Sequence, residues 1–232
     1  MSTAVITGGS RGFGFAVAKE LVARGWRVVI DGRDRGTLAT ATEALGGEIA
    51  AVPGDISEDA HRKELEEAVN RFGSLDLLVN NASSLGPSPL PRLDRYPIPD
   101  FERLLRVNVI APLALIQLLL PKFGRDGVIV NVTSDAAVEA YDGWGGYGSS
   151  KAALDQLSAV LGTEQKSIRV YGFDPGDMRT AMQQEAFPGE DISDRPEPAT
   201  VVPALMRLLG GGLPSGRYRA ADLLDPAVQV AP

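Results

Sequence analysis

The stretch AVITGGSRGFG, residues 4–14, decides the fold predicted for this chain. Its apolar first half leads into a glycine-rich turn, and the helical pattern AVAKELVARG follows directly. Gly8, Gly12 and Gly14 allow a backbone to pass close to a phosphate, and the amides at the start of the next helix supply donors and positive potential. A glycine-rich turn alone is weak evidence, because glycine also simply ends strands. Its place in a strand, turn and helix pattern predicts a dinucleotide site.

A second feature is the run YGSSK, residues 147–151, which lies in a strongly helical stretch. Tyr147 and Lys151 are four residues apart, so they share a helix face and the ammonium can sit beside the phenol. A neighbouring cation lowers a phenol pKa from its usual value of about 10, so we expect proton exchange with an alcohol or carbonyl near neutral pH. Tyrosine and lysine also meet at this spacing by chance on many helices.

Polar side chains end two further apolar runs. LDLLVNNAS, residues 75–83, ends in an asparagine pair, and GVIVNVTSDA, residues 127–136, reaches Ser134. Ligands bind beyond the carboxyl ends of the strands in an open parallel sheet. Each run could be an ordinary polar strand exit. Together with the glycine turn and the Tyr–Lys pair, they predict one site at this edge of a sheet.

Runs typical of strands alternate with helical patterns along the chain. Strands are predicted at 3–7, 26–31, 48–52, 75–80, 127–133, 167–173 and 216–220, and helices at sites that include 13–24, 58–72, 100–124 and 147–165. Such alternation is typical of a parallel sheet covered on both faces. We therefore predict an α/β fold, a Rossmann-like doubly wound parallel sheet of about seven strands with helices on both faces. With 232 residues, 44% of them hydrophobic, we expect a single domain spanning 1–232.

Composition argues against several classes of function. A net charge of -7 and a pI of about 4.8 disfavour nucleic-acid and anionic-membrane partners. The absence of cysteine leaves no thiolate nucleophile and no zinc cluster of cysteines, and no metal is expected. The sole histidine, His61 in EDAHRKELEEA, is expected to be solvated on a charged helix face. The first predicted strand begins within a few residues of Met1 and no run of 18 or more apolar residues occurs, so we expect a cytoplasmic enzyme without a signal peptide or membrane span.

Taken together, these segments resemble the short-chain dehydrogenases/reductases, whose pattern is a TGxxxGxG turn, NNAG, an asparagine, a serine, YxxxK and PGxxxT. This chain has TGGSRGFG, NNAS, Asn108 in RVNVIAP, Ser134, YGSSK, and PGDMRT at 175–180, in family order and spacing across residues 3–180. No single piece is specific, but the combination is highly specific.

The resemblance implies an oxidoreductase in which the nicotinamide carries the hydride and the protein positions the reactants. Tyr147 would give a proton to the carbonyl oxygen or take one from the alcohol, and Ser134 would orient that oxygen. Lys151 would hold the nicotinamide ribose and lower the pKa of Tyr147, and Asn108 would anchor a water in the proton relay leading to Lys151. The implied cofactor contacts, besides Tyr147 and Lys151, are Gly8, Ser10, Arg11, Gly12, Phe13, Gly14, Arg33, Asp55, Ile56, Asn81, Ala82, Pro175, Gly176, Met178 and Thr180.

Cofactor preference depends on the end of the second predicted strand, RVVIDGRD. Relatives that prefer NAD usually carry an acid there, which binds the ribose 2′-hydroxyl. The matching position is Gly32, followed by Arg33, which suits a 2′-phosphate, and Arg11 points the same way. Asp31 is counter-evidence, since a shift of one residue in the alignment would return an acid to the ribose. We expect NADP(H) rather than NAD(H), and reduction of a ketone or aldehyde to an alcohol.

Two proline-rich stretches, 86–100 and 187–199, follow motif segments and are expected to lie over the active site, where loops usually set substrate choice. We expect residues 181–200 to form a substrate loop or lid, with a plain connection stiffened by proline as the alternative. Trp144, Met178 and Met182 would line an apolar pocket, unless the methionines fill the core.

Two positions depart from the family pattern. Ser83 stands where the family usually has glycine, and Asp135 follows Ser134. Asp135, together with Asp142 and Asp177, would favour a substrate with an amine or several hydroxyls, although simple exposure also explains these acids. Neither departure removes a group that hydride transfer requires.

The assembly and the alternatives complete the prediction. Apolar residues occupy more than one face of the helices predicted at 100–124 and 147–165, through which the family commonly forms dimers or tetramers, so we expect a homodimer or homotetramer. Burial beneath the sheet would account for part of that excess. The alternatives are a redox-neutral enzyme on the same scaffold, such as an epimerase or dehydratase, and a non-catalytic nucleotide-sensing regulator. The sequence leaves open the substrate and the role of the tail LLDPAVQVAP, residues 223–232.

Overall fold

The structure, a computed structural model, describes residues 1–225. Residues 226–232, which hold most of the C-terminal tail whose role the sequence leaves open, lie outside the described part of the chain.

Seven strands form one parallel sheet, as predicted, in the order β3-β2-β1-β4-β5-β6-β7. The strands are β1 (Thr3–Ile6), β2 (Arg27–Gly32), β3 (Ile49–Pro53), β4 (Leu75–Asn80), β5 (Phe123–Val132), β6 (Ile168–Asp174) and β7 (Gly216–Arg219). The predicted strands match these closely, except that β5 begins at Phe123 rather than at residue 127.

Helices connect the strands. They are α1 (Gly12–Ala23), α2 (Arg35–Leu45), α3 (Asp59–Phe72), α4 (Ile98–Leu105), α5 (Ala111–Leu119), α6 (Gly145–Glu164), α7 (Ala181–Ala186), α8 (Pro198–Gly210) and α9 (Ala220–Leu224). A π-helical turn, Arg106–Ile110, joins α4 to α5, so the single helix predicted at 100–124 is an interrupted one. The helices α2, α7, α8 and α9 lie outside the helical patterns named from the sequence, and α8 contains Pro203 in its interior.

The strand order places the site. The chain begins in the middle of the sheet at β1, moves outward through β2 and β3, and returns to pair β4 with β1 on its other side. The connections that leave β1 and β4 therefore diverge at their carboxyl ends. A crevice at that reversal is where open α/β sheets bind ligands.

The core lies on both faces of the sheet, because successive strand residues point in opposite directions. Ile6 and Ile30 pack on one face with α1 and α8, whereas Val5 and Val29 pack on the other with α3 and α5. All four side chains are fully buried. This arrangement confirms the predicted doubly wound α/β architecture.

Among residues 1–225, one segment, Ile98–Lys122, is long and apolar enough to cross a membrane by length and composition. In this fold Leu115 and Leu119 of that segment are buried against the sheet. Part of its apolar surface thus supplies core packing.

Candidate active site

The glycine-rich turn has the backbone geometry that the sequence predicts. Gly8 and Gly12 have φ of +66° and +58°, a region that side chains with a Cβ rarely adopt. A Cβ at Gly14 would lie 2.5 Å from Asn81 Nδ2 and 2.6 Å from the Gly8 carbonyl oxygen, so only glycine fits there. The helix α1 begins at Gly12 with no side-chain cap and no acid in its first turn. Its first amides therefore suit a phosphate.

Asn81 braces this turn from the neighbouring strand. Its Nδ2 donates to the Thr7 carbonyl at 2.8 Å and to the Gly8 carbonyl at 3.2 Å. The backbone amides of Asn81 and Ala82 both donate to Thr7 Oγ1 at 3.0 Å. The predicted cofactor residues at the ends of β1 and β4 are thus held together by hydrogen bonds.

Asp31 and His61 form a buried pair behind the turn. Asp31 Oδ1 accepts a hydrogen bond from the Gly8 amide at 2.5 Å, and Oδ2 lies 3.0 Å from His61 Nε2. Asp31 and His61 are 2% and 4% exposed. The prediction of a solvated His61 is therefore wrong, because α3 packs this residue against the end of β2 and against Gly54. Both Asp31 carboxylate oxygens have partners within the protein.

A cleft of about 1090 Å³ opens beyond the glycine turn. The predicted cofactor residues that line it are Gly8, Ser10, Arg11, Gly12, Phe13, Arg33, Asp55, Ile56, Asn81, Ala82, Tyr147, Lys151, Pro175, Gly176, Met178 and Thr180. Gly14 lies behind this surface, against Asn81 and Gly8.

Two arginines, Arg11 and Arg33, line the cleft near the glycine turn. Within residues 1–225 the guanidinium groups of Arg11 and Arg33 make no hydrogen bond or ion pair. Burial raises the pKa of Asp55, but hydrogen bonds from Ser57 and the charge of Arg33 outweigh it, and the pKa is lowered. Arg33 therefore lies near Asp55 with its donors available.

Tyr147 and Lys151 share the buried face of α6, as predicted. Lys151 Nζ donates to the Val132 carbonyl at 2.8 Å and lies 5.5 Å from the centre of the Tyr147 ring. Burial lowers the pKa of Lys151 to about 8, although the Asp155 carboxylate opposes that change. Lys151 thus ties its helix to the end of β5.

The pKa of Tyr147 departs from the prediction. Burial raises it, hydrogen bonding to Ser83 and Ser134 lowers it, and the charges of Asp174 and Asp135 raise it, with a net upward shift. The expectation of a lowered pKa is wrong here, because desolvation of the phenolate dominates. The phenol is accordingly protonated at neutral pH.

Asn108 lies in the π-helical turn, a distortion that is frequent at functional sites. Its Nδ2 donates to the Ser84 carbonyl and to Ser150 Oγ, both at 2.9 Å, and its Oδ1 accepts from the Ser84 amide at 2.8 Å. Ser150 Oγ in turn donates to the Tyr147 carbonyl at 2.7 Å. Asn108 therefore connects the loop after β4 to the helix that carries Tyr147.

Ser134 lies at the end of β5 beside Asp135. Its hydroxyl donates to Asp135 Oδ1 at 2.9 Å and accepts from the Ala136 amide at 3.2 Å. The Tyr141 hydroxyl lies 3.0 Å from Asp135 Oδ2 and 2.8 Å from Glu139 Oε2, so either carboxylate can accept its proton. Asp135 thus belongs to a polar wall of the cleft.

The other two predicted acids are exposed. Asp142 lies 3.0 Å from Arg92, and Asp177 lies 3.7 Å from Arg195. Within the described residues, no group of three or more His, Cys, Asp or Glu side chains is placed to hold a metal ion.

An apolar wall faces the polar one. The Trp144 ring lies 5.7 Å from the Tyr147 ring and 6.0 Å from the Phe187 ring. Met182 packs on the cluster that contains Tyr147, whereas Met178 lines the cleft and also packs on the main core.

The segment 181–200 contains α7, whose N-cap is Thr180, with its hydroxyl accepting from the Gln183 amide at 3.1 Å. Ser88 Oγ donates to the Glu185 carbonyl at 2.7 Å, which joins the first proline-rich stretch to this segment. The first proline-rich stretch and the segment 181–200 therefore meet beside the cleft.

Sequence reasoning missed the buried role of Asp31 and His61 and the contact between Ser83 and Tyr147. Neither contact has a local signal. Asp31 lies on β2 and His61 on α3, and Ser83 is far from Tyr147 in the chain. No spacing pattern in the sequence could therefore have revealed these contacts.

Comparisons with known proteins agree with this geometry. A family model described as short chain dehydrogenase matches residues 2–191. A serine 3-dehydrogenase from Rhizobium radiobacter is 36% identical over 179 residues, which cover 75% of this chain and 71% of that protein.

Two solved structures share the fold. A short chain dehydrogenase from Pseudomonas syringae has a TM-score of 0.89 at 29% identity, covering 94% of each chain. One from Shigella flexneri, complexed with NADP, has a TM-score of 0.86 at 26% identity, covering 95% of this chain and 97% of that one. The family uses NAD(P), and its dehydrogenases act on small molecules. The chain therefore belongs to the short-chain dehydrogenase/reductase family and is an oxidoreductase.

Proposed function

We propose that this protein reduces a ketone or aldehyde to the alcohol with NADPH, or catalyses the reverse reaction, with Tyr147 as the proton donor. The observation that carries the proposal is the meeting of Ser134, Tyr147 and Lys151 in the cleft onto which the glycine turn opens. Each group has a task in such a reaction, and the glycine turn supplies a place for the pyrophosphate.

The bound nicotinamide would supply the hydride, and the protein's side chains would handle the proton. Because burial raises the pKa of Tyr147, its phenol holds a proton near neutral pH and can give it to a carbonyl oxygen. Ser83, whose hydroxyl donates to Asn108 Oδ1 in this structure, would then turn to the phenolate and stabilise it, since hydrogen bonding with Ser83 lowers the same pKa.

Lys151 and Asn108 would act beside this group. Lys151, with a pKa lowered to about 8, is charged at neutral pH and would hold the nicotinamide ribose. Asn108 holds the loop after β4 to α6 and would anchor the water of the proton relay. Ser134 would turn its hydroxyl from Asp135 to the substrate oxygen.

The charges at the glycine-turn end of the cleft support the proposed preference for NADP(H). Arg11 and Arg33 line the cleft, and a guanidinium can grip a phosphate with two donors. Asp31 is the acid that could have bound a 2′-hydroxyl, but its Oδ1 accepts from the Gly8 amide and its Oδ2 contacts His61 Nε2. The NADP complex of the Shigella flexneri relative supports the same choice.

The two walls of the cleft favour a small substrate with one apolar end and one polar end. Trp144, Phe187 and Met182 offer apolar and aromatic surface, and Asp135 with Tyr141 offers polar groups. Residues 181–200 would form the lid over this space, because α7 contributes to both the apolar wall and the contact with Ser88.

The rest of the proposal concerns the whole molecule. We infer that residues 1–232 form one domain, which acts in the cytoplasm. We expect no nucleic-acid or membrane partner, and we expect the protein to form a homodimer or homotetramer. The exposed Ile110 and Val160, on the helices expected to mediate association, support an oligomer.

The test is a fluorescence titration with NADPH and NADH, followed by NADPH oxidation on a panel of aryl ketones, hydroxy ketones and aldehydes, with serine and sugars as alcohols for the reverse reaction. We expect tighter binding of NADPH and oxidation by at least one carbonyl. Cofactor binding without turnover of any panel member would support the redox-neutral or regulatory alternative, and tighter NADH binding would refute the role given to Arg33.

A further inference from the structure

Arg217, on the edge strand β7, makes three polar contacts at the carboxyl edge of the sheet. Its Nε donates to Asp155 Oδ2 at 3.0 Å. Its Nη2 donates to the Ser134 carbonyl at 3.0 Å and to Asp174 Oδ2 at 2.9 Å. One guanidinium therefore joins three segments that are remote from each other in the chain.

Each of these partners belongs to an element that carries a group of the proposed site. Asp155 lies one helical turn after Lys151 on α6, so it shares the face of that lysine. Ser134 follows the last residue of β5 by two positions and is itself one of the proposed catalytic groups. Asp174 ends β6, directly before the Pro175–Gly176 segment, and its Oδ1 accepts from the Gly176 amide at 3.0 Å.

The burial of these contacts makes them effective. The side chains of Arg217, Asp155 and Asp174 are 26%, 15% and 4% exposed, so water and salt screen them less than surface pairs. A planar guanidinium offers donors in a fixed fork, and a lysine offers only one ammonium. The arrangement therefore requires arginine geometry.

We infer that Arg217 is a positioning residue, which holds Ser134, the Tyr147 and Lys151 face of α6, and the cofactor segment at 174–176 in their working arrangement. This inference rests on the proposed function. Arg217 does not itself line the cleft, so it acts through Ser134, Asp155 and Asp174.

The charge of Arg217 also acts on the Asp174 carboxylate. Burial and the Asp135 charge raise the pKa of Asp174, the Gly176 amide and the Arg217 charge lower it, and the net shift is upward. Loss of the guanidinium therefore removes a group that stabilises the ionised carboxylate.

The experiment compares Arg217→Met with Arg219→Met. Arg219 lies on the same strand and pairs with the exposed Asp222, so it controls for the loss of one positive charge. Amide hydrogen exchange of residues 132–137 and steady-state kinetics are measured on both variants. The carbonyl is the best member of the panel above.

We expect Arg217→Met to lose protection at 132–137 and to lower kcat about 10–100-fold, with a smaller rise in KM for NADPH, because small misplacements of reacting groups are costly. Arg219→Met should match the wild type in every readout, and Arg217→Lys should recover only part of kcat. Should Arg217→Met not fold, Asp155→Asn breaks one contact and should give a smaller defect of the same kind.

Unchanged exchange at 132–137 in the Arg217→Met protein, or in Asp155→Asn if that one is used, would overturn the inference. Equal kcat in wild type and variant would also overturn it. A wild type that turns over no carbonyl would instead refute the proposed function, while the exchange measurement would still judge the contact itself.

Discussion

Replacing Gly14 by alanine tests the glycine turn, because the structure leaves no room for a methyl group there. The new Cβ would lie 2.5 Å from Asn81 Nδ2 and 2.6 Å from the Gly8 carbonyl oxygen, and backbone cannot rotate away. Asn81 Nδ2 would be displaced from its bonds to Thr7 and Gly8.

The magnitude follows from three contributions. Alanine gains about 1 kcal/mol over glycine in a helix. Overpacking costs about 1–3 kcal/mol, and the two lost hydrogen bonds cost about 1 kcal/mol each. The free energy of unfolding of Gly14→Ala should therefore fall by about 2–4 kcal/mol. Movement of Gly8 would also weaken a phosphate contact, and we expect the Kd for NADPH to rise about 10–100-fold.

The assay is urea unfolding together with the NADPH fluorescence titration, and the matched control is Gly36→Ala. Gly36 lies in the first turn of α2, and its Cβ would meet only Asp34 Oδ1 at 3.5 Å, an ordinary contact. The control should gain up to about 1 kcal/mol and bind NADPH normally. A Gly14→Ala protein as stable as Gly36→Ala, with the wild-type Kd for NADPH, would refute the reasoning.

Three further predictions concern the buried and charged groups around the cleft. Arg33→Ala should raise the Kd for NADPH about 10–100-fold and leave the Kd for NADH within about twofold, because the variant loses only the contact with the 2′-phosphate. Equal losses of affinity in a titration with both cofactors would contradict this. Because burial lowers the pKa of Lys151 to about 8 from 10.5, the unfolded chain binds the extra proton between these values. The unfolding free energy of wild type relative to Lys151→Met should therefore rise by up to about 3 kcal/mol from pH 7 to pH 10.5, and a flat difference in urea titrations would show that the lysine is not desolvated. His61→Leu should lower the unfolding free energy by about 2–3 kcal/mol, because the buried carboxylate of Asp31 loses its hydrogen-bond partner at Oδ2. His61→Gln should lower the unfolding free energy less. Equal stability of the leucine variant and the wild type would argue against the Asp31–His61 pair.

Much of the fold was predictable because its signals are local. Alternating strand and helix patterns indicated the parallel sheet, and the spacing of Tyr147 and Lys151 put both on one helix face. The glycines at 8, 12 and 14 indicated the turn. These signals depend on periodicity and backbone conformation, which neighbouring residues determine.

What the sequence could not predict depends on contacts between distant segments. His61 lies in a highly charged helical pattern, and its burial comes from Asp31 and Gly54 on other elements. The pKa of Tyr147 depends on how much water reaches the phenol, and spacing to Lys151 says nothing about that. Arg217 lies in a short edge strand without a motif, although it contacts three segments at the site.

The interrupted helix between β4 and β5 has a similar explanation. Its apolar content predicted one helix over 100–124, but Asn108 bonds to Ser84 and Ser150 and occupies a π-helical turn. These hydrogen-bond partners are supplied by the loop after β4 and by α6, which come together only in the folded chain. Local propensity alone gives no reason to interrupt the helix there.

The most direct test of the account measures single-turnover NADPH oxidation with the best carbonyl of the panel, in the wild type, Tyr147→Phe and Tyr141→Phe. Tyr141 also lines the cleft, but its hydroxyl bonds to Asp135 and Glu139, so it controls for the loss of a nearby phenol. The account predicts that Tyr147→Phe slows oxidation about 100–10,000-fold with an unchanged Kd for NADPH, while Tyr141→Phe stays within about fivefold of the wild type. A Tyr147→Phe protein that oxidises NADPH at the wild-type rate would contradict the assignment of Tyr147 as the proton donor.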